Sequence, residues 1–181
     1  DKECLLSTFK SFVRPLFDYA APVVFPNLSA TSILRLQRIQ NRALRLVTGC
    51  HMAAANDHLH DECKVLPVEE HMRLLSAQFL AGALSPNHPS HKWVTGPQGR
   101  RRMKNTLRTK VIDDVSPYMK EDGTIPQCEV RETQNKIHTD VVRKTVAGLE
   151  PNKVLNIRPP PINSDEITLD RRTRVTLAQL R

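Results

Sequence analysis

The sequence predicts a mostly α-helical chain, with a small helical bundle at about residues 3–84 followed by a looser helical tail with Pro-rich linkers. Apolar residues recur three and four positions apart through most of the chain, the spacing that keeps them on one face of a helix. Strand-like alternation of apolar and polar residues does not stand out anywhere. Thirteen prolines interrupt the pattern and favour several helices over one long bundle.

Helices are expected first in residues 3–25. Apolar residues there fit two helical segments, with Pro15 at a break or in the first turn of the second. Pro22 and Pro26 are then expected to end the helical stretch. The apolar positions are Leu5, Leu6, Phe9, Val13, Leu16, Phe17, Ala20 and Val24.

A longer helix is predicted at about residues 30–48, because both of its ends carry characteristic residues. Ser29 is a good N-terminal cap, and Gly49 stands where a left-handed C-terminal cap belongs. Leu28 and Ile33 have the spacing of a hydrophobic staple. One apolar stripe is expected to face the core, and it consists of Ile33, Leu36, Ile39, Ala43, Leu46 and Val47.

Two more helices complete the predicted domain at 3–84. A short one at 53–63 precedes a stronger one from Pro67 to about Leu84, which has glutamates in its first turn, where the helix dipole favours anions. The stronger helix is predicted from the spacing of Val68, Met72, Leu75 and Phe79. Residues 85–99 are rich in Pro, Ser, Gly and His and are interpreted as a linker.

The tail is expected to hold two helices within a region at 100–157. They are predicted from Leu107, Val111 and Val115, and from Val130, Ile137, Val141 and Val146 up to Gly148. Three consecutive prolines force an extended spacer at 158–168, and residues 169–181 are interpreted as the start of a truncated C-terminal helix. Because the chain starts with Asp1 and the helical pattern runs to its last residue, we expect a piece of a longer protein.

The composition points to an anionic partner. The formal net charge of +8 most often indicates nucleic acid and less often an anionic membrane, and the alternative is a soluble surface with excess cations. The four cysteines show no CxxC spacing, and no secretory signal or membrane-length apolar run is seen. We therefore expect free thiols and an intracellular location, in the nucleus and cytoplasm.

Four arginines of the predicted helix at 30–48 share one face. Within an arc of about 80° opposite the apolar stripe lie Arg35, Arg38, Arg42 and Arg45. No acidic residue lies between Leu28 and Asp57, so these charges have no local partner one turn away. Guanidinium groups at this spacing can follow a phosphate backbone. The alternative is a solvated face that balances a buried one, but the global excess of positive charge favours nucleic acid.

A second basic cluster follows the predicted linker. It consists of Arg100, Arg101, Arg102 and Lys104, with Arg108 and Lys110 further on. Trp93, the one tryptophan of the chain, lies close by in the sequence and could stack on a base while the cluster binds phosphates. A solvated linker end or a nuclear-localisation patch is an equally good interpretation.

Two groups of possible metal ligands are assigned no metal. The first comprises Cys50, His51, His58, His60 and Cys63, of which His60 and Cys63 alone have the spacing of a ligand pair. We interpret the group as surface histidines and small buried thiols. The adjacent Asp113 and Asp114 would point about 100° apart on a helix, so they are interpreted as exposed helix surface. No motif of a nucleophile and a base is present, so no catalytic residue is assigned.

Three stretches of the sequence together resemble a known family. They are SFVRPLFDYAAPV at 11–23, LQRIQNRALRLVTG at 36–49, and Leu66-Pro67. In this order and spacing they are similar to the segment that follows the catalytic palm in reverse transcriptases of non-LTR retrotransposons, of the jockey-like kind. The match covers residues 5–84, and residues 171–181 resemble a block near the end of such polyproteins.

The resemblance implies that residues 3–84 are the thumb-like helical domain that grips a template–primer duplex of RNA and DNA, and that 100–157 is a helical post-thumb region. The parent would be an RNA-directed DNA polymerase that uses Mg²⁺, with the catalytic aspartates in its palm domain. This chain would bind no cofactor and would polymerise nothing alone, and its further partners would be the palm and fingers of the parent. Val24-Phe25 stands where the family commonly has tryptophan, a departure that affects packing.

Two other functions remain open from the sequence. One is a degenerate element remnant that acts as a helical protein-interaction module, in which the helix at 68–84 packs on a partner. On that interpretation, charge reversal on the helix at 30–48 changes little. A more remote possibility is a small zinc enzyme or zinc module built on His60 and Cys63.

Overall fold

The computed structural model describes residues 2–96 and 107–149, and Thr173 beyond them. This part of the chain is mostly helical and has no strand, which confirms the predicted fold class. Its α-helices are α1 (Lys2–Thr8), α2 (Pro15–Asp18), α3 (Ala21–Val24), α4 (Ala30–Thr48), α5 (Asn56–Cys63), α6 (Val68–Ala83), α7 (His91–Thr95), α8 (Leu107–Val115) and α9 (Val130–Gly148). A π-helix at Phe9–Val13 and 3₁₀ turns at Phe25–Asn27 and Ser116–Tyr118 complete the helical segments.

The described chain divides into two compact units. The first unit comprises residues 2–17 and 31–68 and the end of α9 from Thr145; the second comprises residues 18–30 and the described part of 69–144. The sequence predicted instead one bundle at 3–84, followed by a linker. Most of α6 thus belongs with the segments that follow it along the chain.

The first unit has a core of aliphatic, aromatic and thiol side chains. The buried members are Phe9, Leu44, Val47, Leu59, Cys63 and Val65, with Leu5, Leu6, Val13, Ala43 and Cys50 packed against them. An ion pair of 2.7 Å between Lys2 Nζ and Glu62 Oε1 adds a link between α1 and α5. The core therefore holds α4 by one face and leaves the other face to solvent.

The ends of α4 agree with the sequence. The helix begins at Ala30, directly after Ser29, and ends at Thr48. Gly49 has a φ of 76° and donates its N–H to the Arg45 carbonyl over 2.8 Å, so it forms the predicted left-handed cap.

Prolines shape the chain before α4. The N–H of Arg14 bonds the carbonyl of Phe9 over 2.9 Å, which closes a π turn just before Pro15. Proline has no N–H and its ring collides with the carbonyl four residues earlier in a regular α-helix, so the helix changes its geometry here. Pro22 lies in the first turn of α3, whereas the sequence placed it at the end of a helical stretch.

In the second unit α6 is buried along most of its length, at Met72, Leu74, Ser76, Ala77, Leu80, Ala81 and Ala83. The side chains of Gln78 and Gln134 each donate to the other's backbone carbonyl, at 3.3 and 3.0 Å, and so join α6 to α9. The tail helices were predicted well: α8 buries Leu107, Val111 and Val115, and α9 ends at Gly148.

One helix lies where the sequence predicted a linker. The α7 helix at His91–Thr95 falls within 85–99 and buries Val94. Hydrophobic periodicity in the sequence did not predict this helix, because five residues with one buried apolar side chain are too few to show a repeat. The predicted spacer at 158–168 lies outside the described residues, and so does the predicted C-terminal helix at 169–181 apart from Thr173.

Candidate nucleic-acid interface

Three of the four predicted arginines form an exposed cationic surface on α4. Arg35, Arg38 and Arg42 are exposed, and none of them bonds or pairs with another residue that the structure describes. The sequence has no acidic residue between Leu28 and Asp57 that could neutralise them locally. We call these three side chains the arginine face.

Arg45 is separate from the arginine face. It is half-buried, and its Nη2 donates to the Ala54 carbonyl at 3.1 Å and to Asn56 Oδ1 at 2.9 Å. These bonds hold the loop between α4 and α5 against α4. Arg45, which was predicted to bind nucleic acid with the other three, thus differs from them in having intramolecular partners.

The apolar stripe predicted on α4 is partly wrong. Ile33 and Val47 are buried, but Ile39 is 53% exposed and Leu46 is 65% exposed. The helix is rotated relative to the prediction, because Leu44 enters the core. Ile39 and Leu46 therefore lie beside the arginine face, which makes this surface amphipathic rather than purely basic.

Polar side chains occupy the inner face of α4. Gln37, Gln40 and Asn41 follow Ile33 and precede Leu44 at spacings of three and four, so they share the face that packs inward. Gln40 is buried and donates its amide to the Leu66 carbonyl at 2.8 Å. Gln37 Oε1 accepts the backbone N–H of Val68 at 2.8 Å and so satisfies a free donor at the start of α6.

His60 completes this buried polar cluster. Its Nδ1 lies 2.9 Å from the Val65 carbonyl, which can only accept, so the neutral ring carries its proton on Nδ1. Its Nε2 then accepts from Gln37 Nε2 at 2.9 Å, and the same Gln37 nitrogen donates to Asn41 Oδ1 at 2.7 Å. Burial lowers the pKa of His60 below its ordinary value, and the bond to Val65 and the charge of Asp57 oppose this effect in part.

The buried polar cluster fixes how α4 is rotated. A rotation that turned the arginine face inward would leave the amides of Gln37 and Gln40 and the ring of His60 without partners, at a cost of about 1–3 kcal/mol for each buried group. The spacing of these amides in the sequence indicates how α4 is rotated. Hydrophobic periodicity does not use this signal, because it treats every glutamine and asparagine as a surface residue.

The possible zinc ligands have other roles. His60, which was predicted on the surface, is buried with both ring nitrogens engaged. Cys63 is buried as predicted, and desolvation raises the pKa of its thiol to about 12. Over the described residues, no three histidine, cysteine or acidic side chains are grouped to hold a metal.

The aspartate pair on α8 also differs from its prediction. Asp113 is exposed, but the carboxylate of Asp114 is largely buried and accepts from Arg73 Nε at 2.6 Å and from Arg73 Nη2 at 3.3 Å. This bidentate bond raises the pKa of Arg73. Asp114 therefore pairs α8 with α6, and the prediction that both aspartates are exposed surface holds for Asp113 alone.

The second basic cluster, at Arg100, Arg101, Arg102 and Lys104, lies outside the described residues. Beyond it, Lys110 is half-buried, with its Nζ 5.6 Å from the centre of the Phe25 ring. On the near side, Lys92 and Trp93 of α7 are both exposed. No described helix is long and apolar enough to cross a membrane.

Comparison with protein-family models, with curated proteins and with solved structures finds no match to this chain. The resemblance to reverse transcriptases rests on the stretches of sequence that suggested it.

Proposed function

We propose that the arginine face of α4 binds the phosphate backbone of an RNA–DNA template–primer duplex, as a non-catalytic part of an RNA-directed DNA polymerase of the retrotransposon kind. The observation that carries the proposal is the set of three exposed guanidinium groups without partners in the described chain. Unpaired arginines repel one another, so a surface that keeps three of them together is suited to an anionic partner.

The spacing of the arginines suits a polyanion better than a single phosphate. From Arg35 to Arg42 the helix rises about 10 Å, at about 1.5 Å per residue. That is about three nucleotide steps along one strand at the rise of about 3.4 Å of B-form DNA, and somewhat more steps in an A-form RNA–DNA duplex, whose rise is shorter. Three guanidinium groups in a row can thus each meet a phosphate, and each can make a bidentate contact.

The buried polar cluster supports the same proposal. A phosphate-binding helix must present its cations to the ligand without paying for reorientation when the ligand arrives. Gln37 and Gln40 hold the opposite face of α4 through bonds to Val68, to Leu66 and to the ring of His60. The arginine face is therefore presented outward before any ligand binds.

Charge reversal with a matched control tests the proposal. The double variant Arg38→Glu/Arg42→Glu removes two positive charges and adds two negative ones, which takes the net charge from +8 to +4. The control variant Arg131→Glu/Lys144→Glu makes the same change in charge at two exposed residues of α9. We expect the first variant to bind a fluorescently labelled RNA–DNA duplex at least about 10-fold more weakly, since charge-assisted contacts are lost.

The control variant should lose far less affinity for the duplex. Equal losses in both variants would show that only net charge matters, and unchanged binding in the α4 variant would show that the arginine face is not the site. Circular dichroism and thermal unfolding of all three proteins establish that the comparison is made between folded chains.

A second candidate function rests on two exposed apolar side chains of the first unit. Phe12 and Leu16, four residues apart, are 73% and 76% exposed. Such residues favour the protein-interaction module, with this segment in place of α6, whose side chains are mostly buried. On that interpretation Phe12→Ser/Leu16→Ser abolishes capture of a partner protein, while Arg38→Glu/Arg42→Glu leaves the capture intact.

A further inference from the structure

Trp93 is unusually exposed for a tryptophan. It lies on α7 with 69% of its surface open to solvent, although tryptophan is among the more buried residue types on average. The other exposed residues of this segment are not large apolar ones: they are Pro86, Asn87, Pro89, Lys92 and Thr95. Trp93 is thus a single flat aromatic surface within a polar setting, with a lysine next to it.

The short helix that carries Trp93 is held firmly on both sides. Val94, the next residue, is buried at 7% exposure. His91 Nδ1 lies 3.2 Å from the Ala83 carbonyl at the end of α6, and the rings of Phe79 and His88 meet edge to face at 5.9 Å. These contacts fix the backbone beneath the indole, so its exposure is not that of a loose loop.

The end of α7 requires a glycine. Gly96 donates its N–H to the Lys92 carbonyl at 2.9 Å, and a Cβ on Gly96 would lie 2.5 Å from that same carbonyl oxygen. The turn therefore depends on the absence of a side chain at this residue. The turn at Gly96 and the contacts beneath α7 thus keep the indole of Trp93 exposed at a fixed position.

We infer that Trp93 is a stacking site for an unpaired nucleobase of single-stranded nucleic acid, with Lys92 positioned for a neighbouring phosphate. The inference rests on the proposed function, since it assumes that the protein binds nucleic acid, but it names a different site and a different form of the ligand. An aromatic ring can stack on any base, because every base has a π face, and an adjacent cation follows the backbone.

A partner protein with a pocket for the indole is a less suitable ligand for Trp93 than a nucleobase. Tryptophans that anchor protein interfaces are surrounded by further contacts that exclude water, and the centre of such interfaces is depleted in lysine. The exposed neighbours of Trp93 offer prolines and polar groups instead. A planar ligand that covers the indole alone, with an anionic group beside it, matches what this surface presents.

The single tryptophan of the chain makes the inference directly measurable. We expect its fluorescence to be quenched when a single-stranded oligodeoxynucleotide is added to the full chain. An oligonucleotide of the same length in which the sugars carry no bases should bind through its phosphates but leave the fluorescence nearly unchanged. Equal quenching by the two oligonucleotides, or none by either, would overturn the stacking site.

Variants separate this site from the arginine face. Trp93→Ala should weaken binding of a labelled single strand about 10-fold, since stacking on an aromatic ring is lost, whereas Trp93→Phe should retain most of the affinity. Neither variant should alter binding of the RNA–DNA duplex. If Trp93→Ala binds the single strand as well as the wild type does, the stacking site is wrong even when the duplex result for α4 stands.

Discussion

Arg42 and Arg45 are three residues apart on the same helix, yet their surroundings assign them different roles. Arg42 is exposed and has no partner in the described chain, whereas Arg45 bonds the Ala54 carbonyl and the Asn56 side chain. No pattern in the sequence distinguishes them, because the partners of Arg45 come from the loop after α4 and from the first residue of α5. Exposure and partners, rather than residue type, decide which arginine is available to a ligand.

Truncation of these two arginines should separate stability from binding. Arg45→Ala should lower the free energy of unfolding by about 1 kcal/mol, since it removes two hydrogen bonds from a charged donor, and should change duplex affinity little. Arg42→Ala should leave the free energy of unfolding within about 0.5 kcal/mol of the wild type and weaken duplex binding. Urea unfolding and fluorescence polarisation measure the two quantities, and a destabilised Arg42→Ala would contradict the assignment.

His60 should make the stability of the protein depend on pH. Burial lowers its pKa in the folded state, so below the unfolded value of about 6.5 the unfolded chain binds a proton that the folded chain does not. The free energy of unfolding should therefore fall as the pH drops from about 6.5 towards the folded pKa. His60→Gln removes this contribution. The free energy of unfolding of the wild type should therefore exceed that of the variant most above pH 7, and the difference should shrink on acidification.

An exposed histidine provides the control for the pH series. His138 lies on α9 and has no bond to another residue of the described chain. His138→Gln makes the same substitution at an exposed residue, so comparing the two variants isolates the effect of the buried ring of His60. If the gap between wild type and His60→Gln widened at low pH, the charged form of His60 would be the one that the fold stabilises.

At the scale of elements, most of the helices were predictable from the sequence. The ends of α4 and α9 follow from apolar spacing and from terminal glycines, and α8 follows from apolar spacing alone, because each of these helices buries one face. The short α7 was missed, since it is held by hydrogen bonds and one valine rather than by a stripe. The rotation of α4 was misjudged, since buried amides replace apolar side chains on its inner face.

The two glycines that end α4 and α9 should respond in opposite ways to alanine. Gly49 has a φ of 76°, which strains any residue with a Cβ, so Gly49→Ala should lower the free energy of unfolding by about 1 kcal/mol. A Cβ on Gly148 would meet nothing within 4 Å, so Gly148→Ala should be neutral or stabilise α9 slightly. Urea unfolding compares the two, and similar losses in both variants would contradict the capping role of Gly49.

At the scale of the whole molecule, the positive charge could be predicted from the composition, but the pairing of cations with distant acidic residues could not. The net charge of +8 and the run without acidic residues predicted a basic surface. The three arginines of the arginine face are free in the described chain, while Lys2 and Arg73 pair with acidic residues 60 and 41 positions away. Long-range partners of this kind depend on the tertiary fold, so no local pattern in the sequence reveals them.

Contact between the arginine face and a phosphate backbone should appear in the salt dependence of duplex binding. Each phosphate contact contributes about −0.9 to the slope of log affinity against log salt, because binding releases condensed counterions. Three contacts therefore predict a slope of about −3, whose magnitude should fall by about 2 in Arg38→Glu/Arg42→Glu and remain unchanged in Arg131→Glu/Lys144→Glu. A wild-type slope of magnitude below about 1, or equal slopes in the wild type and the α4 variant, would contradict phosphate contacts by the arginine face.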